Sequence, residues 1–206
     1  NCGYNGAKGL VYEGGIRVPM LIRWPAGLPG GRQVDKMVHF ADWFPTLLAA
    51  AGVEVPAALK LDGVNVLSVL RGEAGEVCTK RFWQWTRYTP LVECNAAVRD
   101  GDWKLVRPAI WEAMEVPDIH WLWVSMYGPE YFIQNGLLPG PYPSRQVPAP
   151  PPPELYNIAE DPLEQRNLAQ EHPEIARRLL NDLETWFEEV EAERVQALFH
   201  SEASEA

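Results

Sequence analysis

The sequence lacks any run of about 18 uncharged apolar residues, the length that a helix needs to cross a bilayer. Its first residues also lack the basic stretch followed by an apolar stretch that marks a secretory leader. We therefore expect neither a membrane span nor a signal peptide in this chain. If the chain is a piece of a longer protein, these absences leave the compartment of that protein undecided between periplasmic, extracellular and cytoplasmic.

Residues with the spacing of metal ligands are also scarce. The sequence has three cysteines and four histidines, with no CxxC pair and no HxxxH-like pair. They are Cys2, Cys78, Cys94, His39, His120, His172 and His200. An odd number of cysteines gives no disulfide framework. We expect no metal site in this chain and only structural or incidental roles for the cysteines.

Basic residues are few at the C-terminal end. Residues 154–206 contain 14 acidic and 4 basic residues, whereas residues 1–153 contain 14 of each, so the formal charge of −10 belongs to the end of the chain. This balance repels phosphate backbones and argues against nucleic-acid binding. Its simplest interpretation is the solvated face of a helix.

Apolar residues, in contrast, are abundant. At 47% hydrophobic and 11% aromatic, the chain can form a packed globular core. Five of its first fifteen residues are glycine, which suits a loop that turns tightly or approaches a ligand closely. The next segment, RVPMLIRW at 17–24, is a short apolar run closed by Pro25 and predicts a mostly buried strand at 18–24.

Two short helices are predicted after that strand. In HFADWFPTLLAAAGV, Asp42 can cap a helix at about 43–51, with Pro45 in the first turn and Gly52 as its left-handed end. In DGVNVLSVLRG, Asn65 is the candidate cap and Gly72 the terminator.

Beyond Arg81 the apolar period changes to two. The Asp100-Gly101 pair between extended runs predicts a hairpin of 96–99 with 103–107. ELYNI at 154–158 predicts a further strand of the same sheet. The intervening residues 109–153 are irregular, aromatic at first and proline-rich at their end.

A long amphipathic helix is predicted from about Pro173, fraying after about Val195, with a disordered tail at 201–206. Its apolar stripe consists of Ile175, Leu179, Leu183, Trp186 and Val190. Together these elements indicate an α+β fold in which the helix covers one face of a small antiparallel sheet.

Five blocks of the sequence occur in the order and rough spacing of one protein family. They are KGLVYEGGIRVPMLIRWPAG (8–27), ADWFPTLLAAAGV (41–53), LDGVNVLSVL (61–70), AVRDGDWKLV (97–106) and ELYNIAEDPLEQRNLA (154–169). In these blocks the chain resembles the C-terminal portion of the arylsulfatase-type sulfatases, members of the alkaline-phosphatase-like superfamily. The resemblance covers most of the chain apart from residues 109–153.

The resemblance implies the end of an alkaline-phosphatase-like α/β domain followed by a C-terminal subdomain, whose antiparallel sheet packs against the long helix. Residues 1–75 would be the edge of the catalytic domain, with a lysine loop, a strand and two short helices. Residues 76–200 would be the subdomain, with an insertion at 109–153, and residues 201–206 a disordered tail.

The family's nucleophile, a formylglycine made from Cys or Ser in a C/S-x-P/A-x-R motif, is absent here, since Cys78 is followed by TKRF and Cys94 by NAAV. The calcium ion that the resemblance implies would be held by an Asp pair and an Asp-Asn pair, and neither is identifiable in this chain. Asn1 lies only seven residues before Lys8, too close to be the family's metal-binding asparagine. The implied parent therefore hydrolyses a sulfate ester, of a small molecule or carbohydrate, with nucleophile and calcium ligands on a missing N-terminal part. This chain alone should be inactive.

Lys8 is the candidate catalytic and substrate-binding residue. It matches the lysine of the family's G-x-K-G…EGG-x-R-V-P block, which binds a sulfate oxygen. An ammonium beside Gly6 and Gly9 can approach an anion closely, and hydrolysis of a sulfate ester develops negative charge on the oxygens. Taken without the flanking blocks, a lysine in a glycine-rich loop is more often merely exposed.

Glu13, Gly14, Gly15 and Arg17 are expected to structure this loop. Glu13 and Arg17 bracket the double glycine, so an ion pair or backbone hydrogen bonds would hold it, with direct substrate contact as the alternative. The two glycines are expected to supply backbone angles closed to other residues.

His120, in the aromatic part of the insertion at 109–153, is a second candidate substrate-binding residue. Packing or contact with a partner is its alternative role. The aromatic residues around it suit stacking on a sugar or aryl ring, and they equally suit a contact in a homo-oligomer.

Two other functions remain open. The chain could be a structural or interaction module whose exposed surface binds another subunit. The parent could also be a phosphodiester or phosphonate hydrolase on the same scaffold, a question that its upstream nucleophile motif would decide.

Overall fold

A computed structural model describes residues 1–75, 77–86, 90–114, 135–136 and 146–200 of the chain. It divides into two compact units, one of residues 1–17 with 82–206 and one of residues 18–81. The predicted boundary at 75/76 stays a prediction about the parent protein. In this structure the lysine loop belongs with the later residues rather than with residues 18–75.

The first unit is organised by a four-stranded sheet in the order β1-β2-β3-β4. The strands are β1 (Lys80–Gln84, whose first two residues fall in the second unit), β2 (Ala96–Asp100), β3 (Trp103–Arg107) and β4 (Glu154–Asn157). The pairs β2–β3 and β3–β4 are antiparallel. The predicted hairpin and the predicted ELYNI strand are confirmed.

The hairpin closes at the two residues that follow β2. Asp100 pairs with Trp103, which leaves Gly101 and Asp102 as a two-residue loop. Gly101 has φ +61°, a left-handed conformation that hairpin loops of this length require and that glycine adopts without steric cost.

Both faces of the sheet are covered. On one face, Leu179 and Leu183 of the terminal helix pack on alternating strand residues such as Val98 and Leu105. On the other face, Val11 from the N-terminal segment packs against Ala97, Val106, Tyr156 and Ile158. The N-terminal loop is thereby fixed to the face of the sheet that the helix leaves free.

In the part of the first unit that the structure describes, the helices are α1 (Glu13–Ile16), α4 (Trp111–Met114) and α5 (Pro173–His200). The start of α5 at Pro173 and its inward-facing stripe are confirmed, although Val190 is exposed. The helix extends to His200, and the fraying expected after about Val195 stays a prediction. The α+β class, with a long terminal helix packed on a small antiparallel sheet, is confirmed.

The second unit contains a 3₁₀ turn (Phe40–Asp42) followed by α2 (Trp43–Ala50) and α3 (Leu67–Arg71). Gly52 and Gly72 end these helices with φ +70° and +87°, as predicted. Asn65 accepts a hydrogen bond from the Leu67 amide at 3.0 Å, but the N-cap position of α3 is Val66, one residue later than the predicted cap.

Asp42 acts differently from its prediction. Its side chain makes no capping hydrogen bond to α2. Instead it accepts from the amides of His39 at 2.7 Å and Val64 at 2.9 Å, and it forms a buried ion pair with Arg81. The carboxylate therefore joins three segments of the second unit.

The strand predicted at 18–24 is wrong. The structure has no strand there, and four apolar side chains are exposed, with Leu21 at 96%. They are Val18, Met20, Leu21 and Ile22. A strand exists only if neighbouring backbone completes its hydrogen bonds, and no strand within the described ranges pairs with this segment. The apolar composition of a segment does not show whether a neighbouring strand is present to pair with it.

Several predictions fall on residues outside the described ranges. These include His120, most of the insertion at 109–153, and the tail at 201–206. Among the helices that the structure describes, none is both long enough and apolar enough to cross a bilayer.

Candidate functional site

Lys8 lies at the tip of a tight turn in the first unit. The Leu10 amide donates to the Ala7 carbonyl at 2.9 Å, closing a turn that has Lys8 and Gly9 at its centre. Gly9 has φ +90°. Lys8 is exposed, and no described residue forms a hydrogen bond or ion pair with its amine. The structure thus presents a solvated ammonium on a turn.

The double glycine supports this turn by close packing rather than by unusual backbone angles. Gly14 and Gly15 lie in α1 and neither has positive φ, so the predicted reason for them is wrong. The Gly14 amide donates to the Asn5 carbonyl at 2.6 Å, and a Cβ on Gly14 would lie 2.5 Å from that oxygen. A Cβ on Gly15 would overlap the carbonyl oxygen of Leu10. The loop backbone lies directly on α1, and only glycine leaves room for it.

Glu13 is buried in a charge cluster that also fixes α1 to the sheet. The amine of Lys104, on β3 and 0% exposed, lies 3.0 Å from Glu13 Oε1 and 2.8 Å from Glu164 Oε1. The Glu13 amide donates to Glu164 Oε2 at 2.7 Å. Two carboxylates and one ammonium therefore join the N-terminal loop, β3 and the segment after β4.

Arg17 contributes at the rim of this cluster. Its guanidinium lies 3.7 Å from Glu13 Oε2 and stacks over the Tyr4 ring at 4.7 Å, while half of the side chain remains exposed. The pair that sequence spacing suggested is present, but the shorter contact of Glu13 is with Lys104. The functional roles of Glu13 and Arg17 stay predictions.

Burial changes the proton affinities of nearby groups. It raises the pKa of Glu164, an effect that Lys104 partly offsets. Tyr12 and Tyr156 both donate to Glu154 Oε2, at 2.6 and 2.8 Å. Burial and these bonds raise the pKa of both tyrosines, so their hydroxyls stay protonated and hold Tyr12, the neighbour of Glu13, on β4.

Asn95 is a buried residue of the site that sequence reasoning missed. It lies immediately before β2, is 0% exposed and has φ +49°. Its side chain bonds to Gly9, Val11 and Trp85, and so contacts the backbone on both sides of Leu10.

Lys104 and Glu164 were also missed, although each leaves a trace in the sequence. Lys104 is a charged residue inside the apolar strand WKLVR, and Glu164 follows the turn signal Asp161-Pro162. A charge inside an apolar strand suggests a buried partner. The identity of that partner, 91 residues away in the case of Glu13, is visible only in the structure.

The described residues do not fit a calcium site. Within residues 1–75, 77–86, 90–114, 135–136 and 146–200, no group of three or more His, Cys, Asp or Glu side chains is placed to hold a metal. The buried carboxylates are paired with cations instead, Glu13 and Glu164 with Lys104, and Asp42 with Arg81. We therefore derive no chemical step through calcium from these residues.

Comparison with known proteins gives a consistent family. A family model described as N-sulphoglucosamine sulphohydrolase, C-terminal, matches residues 4–120. Steryl-sulfatase of Mus musculus is 30% identical over 186 residues, covering 88% of this chain and 27% of the relative. N-acetylgalactosamine-6-O-sulfatase of Bacteroides thetaiotaomicron is 26% identical over 186 residues, covering 88% of this chain and 29% of the relative.

A solved structure supports the same conclusion. A Bacteroides thetaiotaomicron protein, described under the metabolism of multiple glycosaminoglycans, matches with a TM-score of 0.57 at 25% identity. The match covers 89% of this chain and 32% of that protein. Across these three proteins, the chain spans between 27% and 32% of the length of its match.

Proposed function

Since the chain belongs to the N-sulphoglucosamine sulphohydrolase C-terminal family, we propose that it is the C-terminal part of a sulfatase in which Lys8 binds a sulfate oxygen of the substrate. The observation that carries the proposal is the solvated amine of Lys8 on a turn whose supporting backbone is fastened to a buried sheet. The substrate is a sulfate ester of a small molecule or carbohydrate. The formylglycine nucleophile and any calcium ligands belong to polypeptide outside this chain.

In this reaction the nucleophile attacks sulfur, the sulfur–oxygen bond of the ester breaks, and the alcohol leaves with a proton. Negative charge grows on the sulfate and leaving oxygens during that step. A fixed ammonium beside those oxygens stabilises the charge in the transition state more than in the substrate. Lys8 would supply that ammonium, and the glycines around it would let it approach the anion.

Full-length parent enzyme carrying Lys8→Ala tests the proposal. Removing one such donor should lower kcat/KM for an aryl sulfate by about 10²- to 10³-fold. Lys36→Ala, which removes another exposed lysine, should leave kcat/KM unchanged. Equal activity of the Lys8 variant and the unaltered enzyme would remove Lys8 from the mechanism.

Two further measurements define the parent reaction. The 206-residue chain alone, incubated with an aryl sulfate and calcium, should release no alcohol above background, because the nucleophile lies elsewhere. The parent should cleave an aryl sulfate faster than the matching aryl phosphodiester or aryl phosphonate monoester. The reverse preference would instead identify a phosphodiester or phosphonate hydrolase.

A further inference from the structure

The backbone next to Lys8 is held by a single buried side chain from another part of the chain. Asn95 Nδ2 donates to the Gly9 carbonyl at 2.9 Å, and Asn95 Oδ1 accepts from the Val11 amide at 3.2 Å. Gly9 directly follows Lys8, so these two bonds fix the backbone segment that carries the Lys8 side chain. They span 86 and 84 residues of sequence.

The same carboxamide also holds the end of β1. Nδ2 donates a second bond, to the Trp85 carbonyl at 2.8 Å, and the Asn95 carbonyl accepts from the Trp85 amide at 3.3 Å. The Trp85 indole packs against Gly9, with a ring carbon 3.5 Å from the position that a Gly9 Cβ would occupy. Asn95 therefore places Gly9 and Trp85 against each other and ties both to the start of β2.

Only asparagine satisfies all of these contacts. The two carbonyls need N–H donors and the Val11 amide needs an acceptor, so the side chain must supply both, in this orientation. The left-handed backbone at φ +49° is tolerated by asparagine better than by most residues. Both polar atoms of the buried Asn95 side chain form hydrogen bonds, so the positions of the Gly9, Val11 and Trp85 backbone groups around it are strongly determined.

We propose that Asn95 is the positioning residue of Lys8, which sets where the amine stands relative to the sulfate group. This inference rests on the proposed function of Lys8. Asn95 itself does not contact the substrate. It acts through the Gly9 carbonyl and the Val11 amide, and its loss would leave the Lys8 turn attached to the sheet by packing, by α1 and by the hydrogen bond from Tyr12 to Glu154.

The test uses the full-length parent enzyme with two substitutions. Asn95→Asp keeps the shape and the acceptor but removes both donors, so an oxygen then faces the carbonyls of Gly9 and Trp85. Asn95→Gly keeps the left-handed backbone and removes the side chain. A displacement of the order of 1 Å at a catalytic group can lower the rate about 10²-fold, and we expect a decrease of that order in kcat/KM for both variants.

Asn167→Ala is the matched control for a purely structural effect. Asn167 Oδ1 also joins two segments of the first unit, accepting from the amides of Leu155 and Ala169 at 3.1 and 3.0 Å. The Asn167→Ala substitution should lower the thermal unfolding midpoint and leave kcat/KM unchanged at temperatures where the enzyme is folded. If the Asn95→Asp protein does not fold, Asn95→Gly carries the same comparison.

A double-variant cycle separates the inference from the function beneath it. If Asn95 acts through Lys8, adding Asn95→Gly to Lys8→Ala should lower kcat/KM little further, because the group that it positions is already gone. Additive losses, or an Asn95→Gly enzyme with unchanged kcat/KM when folded, would overturn the positioning role while Lys8 keeps its own. If Lys8→Ala has no effect, the proposed function of Lys8 fails, and the role of Asn95 fails with it.

Discussion

Replacing Lys104 by methionine would remove the ammonium that lies 3.0 Å from Glu13 and 2.8 Å from Glu164. Methionine fills a similar volume, so the main change is electrostatic. Glu13 keeps the guanidinium groups of Arg17 at 3.7 Å and Arg99 at 3.9 Å, whereas Glu164 loses its ion pair with Lys104. Removing one partner of a buried ion pair costs about 3–5 kcal/mol of unfolding free energy. We expect Lys104→Met to fall in this range, which is a large part of the 5–15 kcal/mol that is typical of a whole domain.

The pair of Arg166 with Glu171 is the matched surface control. Its nitrogen–oxygen distance is also 2.8 Å, but its side chains are 69% and 52% exposed. Water screens such a pair, so Arg166→Met should cost about 0–1 kcal/mol. Urea unfolding of the 206-residue chain, followed by circular dichroism, measures both free energies under the same conditions.

The decrease in unfolding free energy caused by Lys104→Met should also depend on pH. Burial raises the pKa of Glu164, and Lys104 opposes that rise, so the variant should raise this pKa further. A carboxyl whose pKa is higher in the folded than in the unfolded state loses stabilisation as pH rises from about 4.3, the unfolded value. The loss of unfolding free energy caused by Lys104→Met should therefore be small near pH 4, close to the unfolded pKa of about 4.3, and larger at about pH 7. A deficit that is equal at both pH values, or no larger than that of Arg166→Met, would refute this account of the cluster.

Three other predictions concern stability. Gly15→Ala should cost about 1–3 kcal/mol, because its Cβ would overlap a backbone carbonyl oxygen, whereas Gly30→Ala has open space and should leave the urea midpoint unchanged. The raised pKa of Tyr12 and Tyr156 means that stability falls as pH rises beyond about 10, where the unfolded tyrosines ionise. Absorbance at 295 nm should show a late titration phase that coincides with unfolding and is smaller in Tyr12→Phe. Burial lowers the pKa of His39, so stability should fall as pH drops below about 6.5, where the unfolded histidine takes up a proton. Urea unfolding across that range should show a weaker pH dependence in His39→Asn, and an unaltered dependence would contradict the assignment.

Sequence features that act between neighbouring residues were predicted well. Gly52, Gly72 and the Asp100-Gly101 turn end or reverse elements where expected, because these residues favour particular backbone angles wherever they occur. The terminal helix was also predicted, since its inward residues repeat at helical spacing. The collinear blocks likewise indicated the family that the comparison with known proteins supports.

The strand predicted at 18–24 was wrong because a strand depends on residues that are distant in the chain. Its apolar composition is suitable for a buried strand, but burial and strand pairing are supplied by other parts of a fold. The sequence indicates that the double glycine matters to the loop, but not that the reason is space rather than backbone angle. Sequence cannot distinguish a glycine that needs positive φ, such as Gly9, from one that needs space, such as Gly15.

The sequence by itself determined the hairpin, the helix ends, the amphipathic terminal helix and the candidate amine at Lys8, because each depends on residues close together in the chain. Only the tertiary structure decided what holds that amine in place. Asn95 reaches Val11 across 84 residues, Lys104 reaches Glu13 across 91, and Glu164 reaches Glu13 across 151. Contacts of this kind arise when the sheet brings distant segments together, and their energy comes from the burial and distances of groups that no local pattern places side by side.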